Sequence, residues 1–307
     1  MELKNKLMQK IGLMASNLSN EFIQLDVDDR IPTVAFLSEK YETARGTVQS
    51  AIKLLQDYDA IKLESRGHLG TFITYIDYLK LLEVAGIKSL VGVMPLPYSK
   101  RYEGLATGIF NTLNDRKLAV NLAFMRGANH RLKALLDGRY DFAVTSRLTA
   151  EYYIKNNEPI EIVSTFGDFS YVNEHVLVVS KDYKEDIKDG MKIGIDRSSI
   201  DQSVLTISYF EDYEVEYVDM SYNSFKAAIK NNEVDAVIWN RDDIDEEDDV
   251  KVLKISKEDI GISDTEAVII TDNKNAILLR LFSKNLDRKE VLRYQREVLE
   301  GLIMPNY

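Results

Sequence analysis

The chain has 307 residues, 45% of them hydrophobic and 29% charged, which is too long for one ordinary core, too apolar for intrinsic disorder, and predicts two or three folded domains. Its 15 Gly and 5 Pro exclude a collagen-like or linker-dominated chain, no apolar stretch is long enough for a membrane helix, and the lack of Cys excludes disulfides, zinc–thiolate sites and cysteine nucleophiles. The net charge of −11 argues against indiscriminate nucleic-acid binding, yet residues 1–75 hold nine Lys+Arg against ten Asp+Glu while the remainder holds 30 against 40.

The first residues, Met1-Glu2-Leu3-Lys4-Asn5-Lys6, do not read as a signal peptide, so a cytoplasmic location is expected. His68, His130 and His175 are scattered without metal-ligand spacing, and neither a metal nor a cofactor is expected. In residues 3–25, Leu3, Leu7, Ile11, Met14, Leu18 and Phe22 recur at helical steps. Asp26 to Pro32 breaks that stripe, and Thr33 can cap a short helix running to about Tyr41. After the turn Glu42-Thr43-Ala44, the segment Arg45 to Asp57 puts Val48, Ala51, Ile52 and Leu55 on one face, so the two helices read as a helix-turn-helix. Ile61-Lys62-Leu63 and Thr71-Phe72-Ile73, joined through Gly67 and Gly70, read as a β-hairpin wing.

Arg30-Ile31-Pro32-Thr33, Leu37, Tyr41, Ala44 to Ile52, Leu55, Ile61 and Arg66-Gly67-His68-Leu69-Gly70-Thr71-Phe72 together resemble the GntR winged helix-turn-helix. That resemblance implies double-stranded DNA as a partner, with Arg45 and Thr47 early in the recognition helix and Arg66 and His68 in the wing making contact. Lys40, Gly46, Gln49 and Lys53 complete the expected DNA face. Arginine suits bidentate contact with guanine, and threonine suits a phosphate. Ala35 and Gln49 stand where the family commonly has arginine, so the family's usual half-site is not carried over.

Residues 75–87 read as a linker helix ending at Gly86. From 88 to 307 the pattern is α/β. Strands at Leu90–Met94, Leu118–Met125 and Asp141–Thr145 alternate with helices at about Arg101–Asn114 and Asn129–Leu136. The same order returns at Lys192–Asp196, Val215–Met220 and Asp235–Trp239, with helices near Ser203–Phe210 and Asn223–Lys230. Asn129 and Asn223 are read as helix N-caps, and Asp141 and Asp235 as the openings of buried strands. Glu174 to Asp182 and Thr265 to Ile270 are read as strands crossing between two lobes, with closing helices at 274–284 and 287–301.

This two-lobed order resembles the type 2 periplasmic-binding-protein fold used as an effector domain by LysR regulators, and with its head the chain resembles the YhfZ-type family of regulators. The expected domains are a winged helix-turn-helix at 1–74, the linker helix at 75–87, and a two-lobed effector domain at 88–307. Lobe one takes about 88–172 plus 268–307, and lobe two about 180–262.

In α/β lobes a ligand sits at the carboxyl ends of strands, beside helix N-termini. Arg101, Arg126, Arg147, Arg197 and Arg241 fall there, which predicts a locally positive cleft for a small anionic metabolite, a carboxylate or phosphate. Ser99, Thr145, Ser146, Ser198 and Ser199 are the expected neutral donors, and Tyr98 and Trp239 the expected aromatic wall. The run from Asp242 to Asp249 lacks EF-hand spacing and reads as a solvated loop. No nucleophile elbow or P-loop is present, which points away from an enzyme. The expectation is a homodimeric, ligand-responsive DNA-binding transcription regulator. The alternatives are a metabolite-binding module acting through a protein partner, or an enzyme on a binding-protein fold.

Overall fold

The structure is a computed structural model that describes residues 10–184, 187–245, 248–255 and 264–307. Leu3 and Leu7 of the expected first helix, and Glu246 and Glu247 of the acidic run, lie outside the described residues. The chain forms two compact units, one comprising residues up to Leu90 and the other most of the remainder.

In the first unit, α1 (described over Lys10–Phe22) buries Met14, Ala15, Leu18 and Phe22, the spacing that made it legible as a helix. Helix α2 (Val34–Lys40) begins where the sequence predicts, since the Thr33 hydroxyl accepts from Phe36 N at 3.2 Å. Such a cap is worth about 1 kcal/mol. Helix α3 (Arg45–Asp57) buries Val48, Ala51, Ile52 and Leu55. Strands β1 (Ile61–Ser65) and β2 (Thr71–Ile76) pair antiparallel as a wing.

The segment before α2 does more than break a helix. Asp28 N donates to Ile73 O at 2.8 Å, Ile31 N donates to Thr71 O at 2.9 Å, and Arg30 bridges Phe72. It therefore edges the wing. At Gly70, φ is +107°, and an added Cβ would fall 2.4 Å from Arg30 Nε, so a side chain there meets both backbone strain and a clash. Helix α4 (Tyr78–Ala85) is capped by Asp77, and Ser16 Oγ donates to Ala85 O at 3.3 Å. The expected linker helix thus packs on α1 within this unit.

The second unit holds two five-stranded sheets. The first is ordered β4-β3-β5-β12-β6, built from β3 (Leu90–Met94), β4 (Val120–Phe124), β5 (Phe142–Ser146), β6 (Ile160–Thr165) and β12 (Ala267–Asp272). The second is ordered β11-β7-β10-β8-β9, built from β7 (His175–Ser180), β8 (Lys192–Ile195), β9 (Glu216–Asp219), β10 (Ala236–Asn240) and β11 (Val250–Lys254). In each sheet the one antiparallel interior strand, β12 or β7, is the strand by which the chain enters that lobe from the other. Two lobes with reciprocal crossing strands are the binding-protein-like α/β fold expected for this region.

Helices α5 (Lys100–Asp115), α6 (Ala128–Leu136) and α7 (Arg147–Lys155) follow β3, β4 and β5. Helices α8 (Ile200–Tyr209) and α9 (Phe225–Lys230) follow β8 and β9, and α10 (Ala276–Asn285) and α11 (Arg288–Leu299) close the chain.

Several local expectations need correction. Strands β6 and β11 and helix α7 are elements the sequence reading passed over. Gly127, at φ +80°, occupies the N-cap of α6, while Asn129 sits inside the helix and accepts from Tyr153 OH at 2.9 Å. Ser224 occupies the N-cap position of α9 without a side-chain cap bond, and Asn223 lies in the preceding 3-10 turn, because the two helices start at different distances from their strands.

Candidate functional site

The face expected to meet DNA is built on α3 and the wing. Arg45 is the first residue of α3; it, Gly46, Gln49 and Lys53 are exposed, and Thr47 is half-buried. Among the described residues Arg45 and Lys53 have no ion-pair partner. Lys40 differs: its Nζ lies 2.5 Å from Glu21 Oε1, which also accepts from Tyr41 OH at 2.6 Å. Burial raises the Glu21 pKa, but the bonds from Lys40 and Tyr41 outweigh it and hold the carboxyl below its usual range. Arg66 donates to Glu64 at 2.7 Å and lies over the Phe72 ring at 4.6 Å, while His68 sits exposed in the wing turn. Arg66 is thus fixed to the wing, and Arg45 is free to turn.

The second unit contains a cleft enclosing about 700 Å³ of space, part of it open to solvent. Of the expected ligand residues, Tyr98, Arg126, Ser198 and Ser199 line it. The other arginines are committed elsewhere. Arg101 pairs with Asp242 at 2.9 Å and donates to Phe169 O at 2.6 Å. Arg147 pairs with Glu151 at 2.7 Å and Glu266 at 3.0 Å, and Arg197 with Asp219 at 2.7 Å. Arg241 donates to Ile244 O at 3.0 Å.

The hydroxyls serve mainly as caps and props. Ser99 caps α5, Ser146 caps α7, and Ser199 caps α8. Thr145 is buried in β5 outside the cleft lining. Trp239 is only 4% exposed and packs with Phe225 in the lobe-two core. Tyr222, at 4.8 Å from the Trp239 ring, reaches the cleft in its place.

Arg126 is itself held across the cleft by Asp196, at 3.1 Å. Asp196 also accepts from Ser198 N at 2.9 Å, Ser198 Oγ at 2.5 Å and Tyr222 N at 2.8 Å. Burial raises the Asp196 pKa, but these bonds more than offset it and the carboxyl stays below its usual range. Gln202, buried in α8, accepts from Asp196 N at 2.7 Å and donates to Thr206 Oγ1 at 3.0 Å, fixing the end of β8.

The remaining lining was not anticipated. Arg131 is 5% exposed, donates to Met125 O at 3.0 Å, and has no hydrogen-bond partner for Nε. Asp201 is buried, and its Oδ1 accepts from Ser146 Oγ at 2.5 Å and Thr149 Oγ1 at 2.8 Å. Asp243 accepts from Tyr222 OH at 2.7 Å through Oδ2, while its Oδ1 is buried without a partner. Burial pushes both carboxyls above the ordinary aspartate range. His175 Nδ1 lies 2.6 Å from Asp264 Oδ2. Burial disfavours the imidazolium, but the hydrogen bond and charge of Asp264 prevail and raise the His175 pKa. Tyr102, Tyr171 and Tyr222 add aromatic wall. Asp242 and Asp243 therefore belong to structured contacts, where a solvated acidic loop was expected.

A helix-turn-helix joined to a two-lobed domain with a charged cleft defines a class of chain: a head that can dock and a body that can bind. Family comparison gives the same division, with residues 27–73 matching a helix-turn-helix domain and residues 77–307 matching the YhfZ C-terminal domain. The chain belongs to the YhfZ family. It is 31% identical over 310 aligned residues to the uncharacterized protein YhfZ of Escherichia coli K12, covering 99% of this chain and 100% of that one. The crystal structure of YhfZ from Shigella flexneri matches at 34% identity with a TM-score of 0.64, over 74% of this chain and 97% of that chain. A periplasmic substrate-binding protein of an ABC transporter from Coxiella burnetii is similar at 14% identity and a TM-score of 0.48, over 71% of this chain and 100% of that chain. Among the described residues no helix is long and apolar enough to cross a membrane.

Proposed function

We propose that the protein is a cytoplasmic, homodimeric transcription regulator whose GntR-like head reads a DNA operator and whose effector domain closes on a small metabolite bearing an anionic group. The observation that carries this reading is Arg45: an exposed guanidinium in the first turn of α3, with no ion-pair partner among the described residues, in a chain that also carries a ligand-sized cleft. Such an arginine is available to a guanine edge, whereas Lys40 is already engaged by Glu21. A dimer supplies two heads to a palindromic site, which doubles the base contacts one small module can make. The ligand alters DNA binding if it prefers one arrangement of the lobes over another.

The test is binding of the full chain to DNA from upstream of its own gene, at two salt concentrations, against scrambled DNA. Selective binding that weakens with salt and is lost in Arg45→Ala is the expected result. Equal affinity of wild type and variant for both DNAs removes the reading, and the protein-partner alternative then takes its place.

A further inference from the structure

Resting on the regulator reading above, we propose that the cleft takes an amino acid, binding its carboxylate through Arg131 and its ammonium through Asp243 and Asp201. An anion alone satisfies only part of the lining, which holds two guanidiniums, Arg126 and Arg131, against three carboxylates, Asp196, Asp201 and Asp243.

Arg126 and Asp196 answer each other, and the Asp196 carboxylate accepts three further hydrogen bonds. With His175, also in the lining, engaged by Asp264 at 2.6 Å, what remains is one buried guanidinium and two buried carboxyls. Arg131 has no carboxylate within ion-pair distance among the described residues, and its Nε is buried and unpaired. A buried charge left in that state is costly and calls for a counter-ion. It lies in the first turns of α6, where Gly127, Ala128 and Arg131 all line the cleft, and a helix start favours negative charge. Both features favour the negative end of a ligand.

The anionic pole of the lining is equally incomplete. Asp243 keeps a buried Oδ1 without a donor, and both donors to Asp201 converge on Oδ1, leaving Oδ2 for a ligand. Tyr98 and Tyr222, stacked at 6.5 Å, line the same cleft, and aromatic rings there suit a cation. An ammonium supplies three donors and no acceptor, which suits such a set of acceptors and rings. One molecule carrying both charges completes both poles.

The full chain is tested by calorimetry and thermal shift against the protein amino acids, ornithine, β-alanine and 4-aminobutyrate. Each binder is then compared with its amide and its N-acetyl acid, and succinate, inorganic phosphate and putrescine serve as single-sign probes. At least one amino acid should bind, with both blocked forms and all single-sign probes weaker by about tenfold or more, as expected when a buried charge loses its partner. In Arg131→Gln the preference for the free carboxylate over the amide should collapse, and in Asp243→Asn the preference for the free amine over the N-acetyl form should collapse. Arg131→Lys, which keeps the charge, should retain the first preference and guards against reading a folding defect as lost recognition. Binding of no amino acid, or a single-sign probe binding as tightly as the best one, overturns the proposal. DNA binding is measured on the same preparation: amino-acid binding without selective DNA binding removes the regulator reading and leaves this site intact, and the converse removes only the site.

Discussion

Asp141 and Asp235 make the same pair of hydrogen bonds in different sheets. Asp141 N donates to Val91 O at 2.8 Å while its carboxylate accepts from Val91 N at 2.7 Å, and Asp235 does the same with Lys192 O and N, both at 2.7 Å. Each aspartate closes the start of the third parallel strand of its lobe onto the first, which gives the internal repeat a physical basis. Asp141→Ala should cost about 1–3 kcal/mol, because it leaves the Val91 N–H without its acceptor. Asp141→Asn, which keeps an acceptor oxygen, should cost less. Urea unfolding of the two variants measures the difference.

Gly92 in β3 faces Phe142 in β5, and an added Cβ would lie 2.2 Å from the Phe142 ring. Gly92→Ala is expected to destabilise by about 1–3 kcal/mol through overpacking. Phe142→Leu in the same chain should recover part of that loss, giving a coupling energy in a double-mutant cycle. Additive losses would mean that the two positions do not meet.

The proposed DNA contacts should not be equal in weight. Arg66 already lies on Phe72 and donates to Glu64, so part of its charge is answered within the wing. Arg45→Ala should cost selectivity by about 1–3 kcal/mol at one base pair. Arg66→Ala should weaken all sequences alike and flatten the salt dependence. Competition binding with single-base variants of the operator separates the two effects.

Asp196 carries a pH signature of its own. Its folded pKa is held below the ordinary aspartate range by Ser198, Tyr222 and Arg126 despite burial. A depressed carboxylate stabilises the fold fully above its unfolded pKa, and that contribution is lost as pH falls through the folded value. The Arg126–Asp196 contact should therefore persist through mild acid and fail only at a pH below the ordinary aspartate pKa of about 3.9. Carboxyl NMR titration follows it directly, and Asp196→Asn should remove the step.

Strong periodic patterns were readable in the sequence. Helix α3 follows from Val48, Ala51, Ile52 and Leu55, and the Thr33 cap follows from a hydroxyl after proline. Strand ends bearing arginine were readable too, but their partners were not, since Asp196 and Asp242 come from the other lobe. Arg131 gave no signal: inside a helix, two residues before Lys133, it resembles a solvated face. Asp243 was hidden in an acidic run that also holds the exposed Asp245 and Asp249. The alternation of Ile160, Ile162 and Ser164 was the signal available for β6, and Val250, Val252 and Lys254 offered a weaker one for β11. What distinguishes these groups is burial, which no spacing of charged residues reveals.

The bridges between the lobes set a resting bias. Arg101–Asp242, Arg126–Asp196 and the Ser146 bond to Asp201 each join lobe one to lobe two without any ligand. A ligand that fills the cleft then adds only a differential preference to a balance already tilted by the chain itself. In a regulator of this design the uninduced output of its gene would be tunable separately from what induces it. Substitutions at Asp242, outside the cleft lining, would raise or lower the baseline while leaving the choice of inducer unchanged, so lineages could drift in background expression without losing the signal they answer.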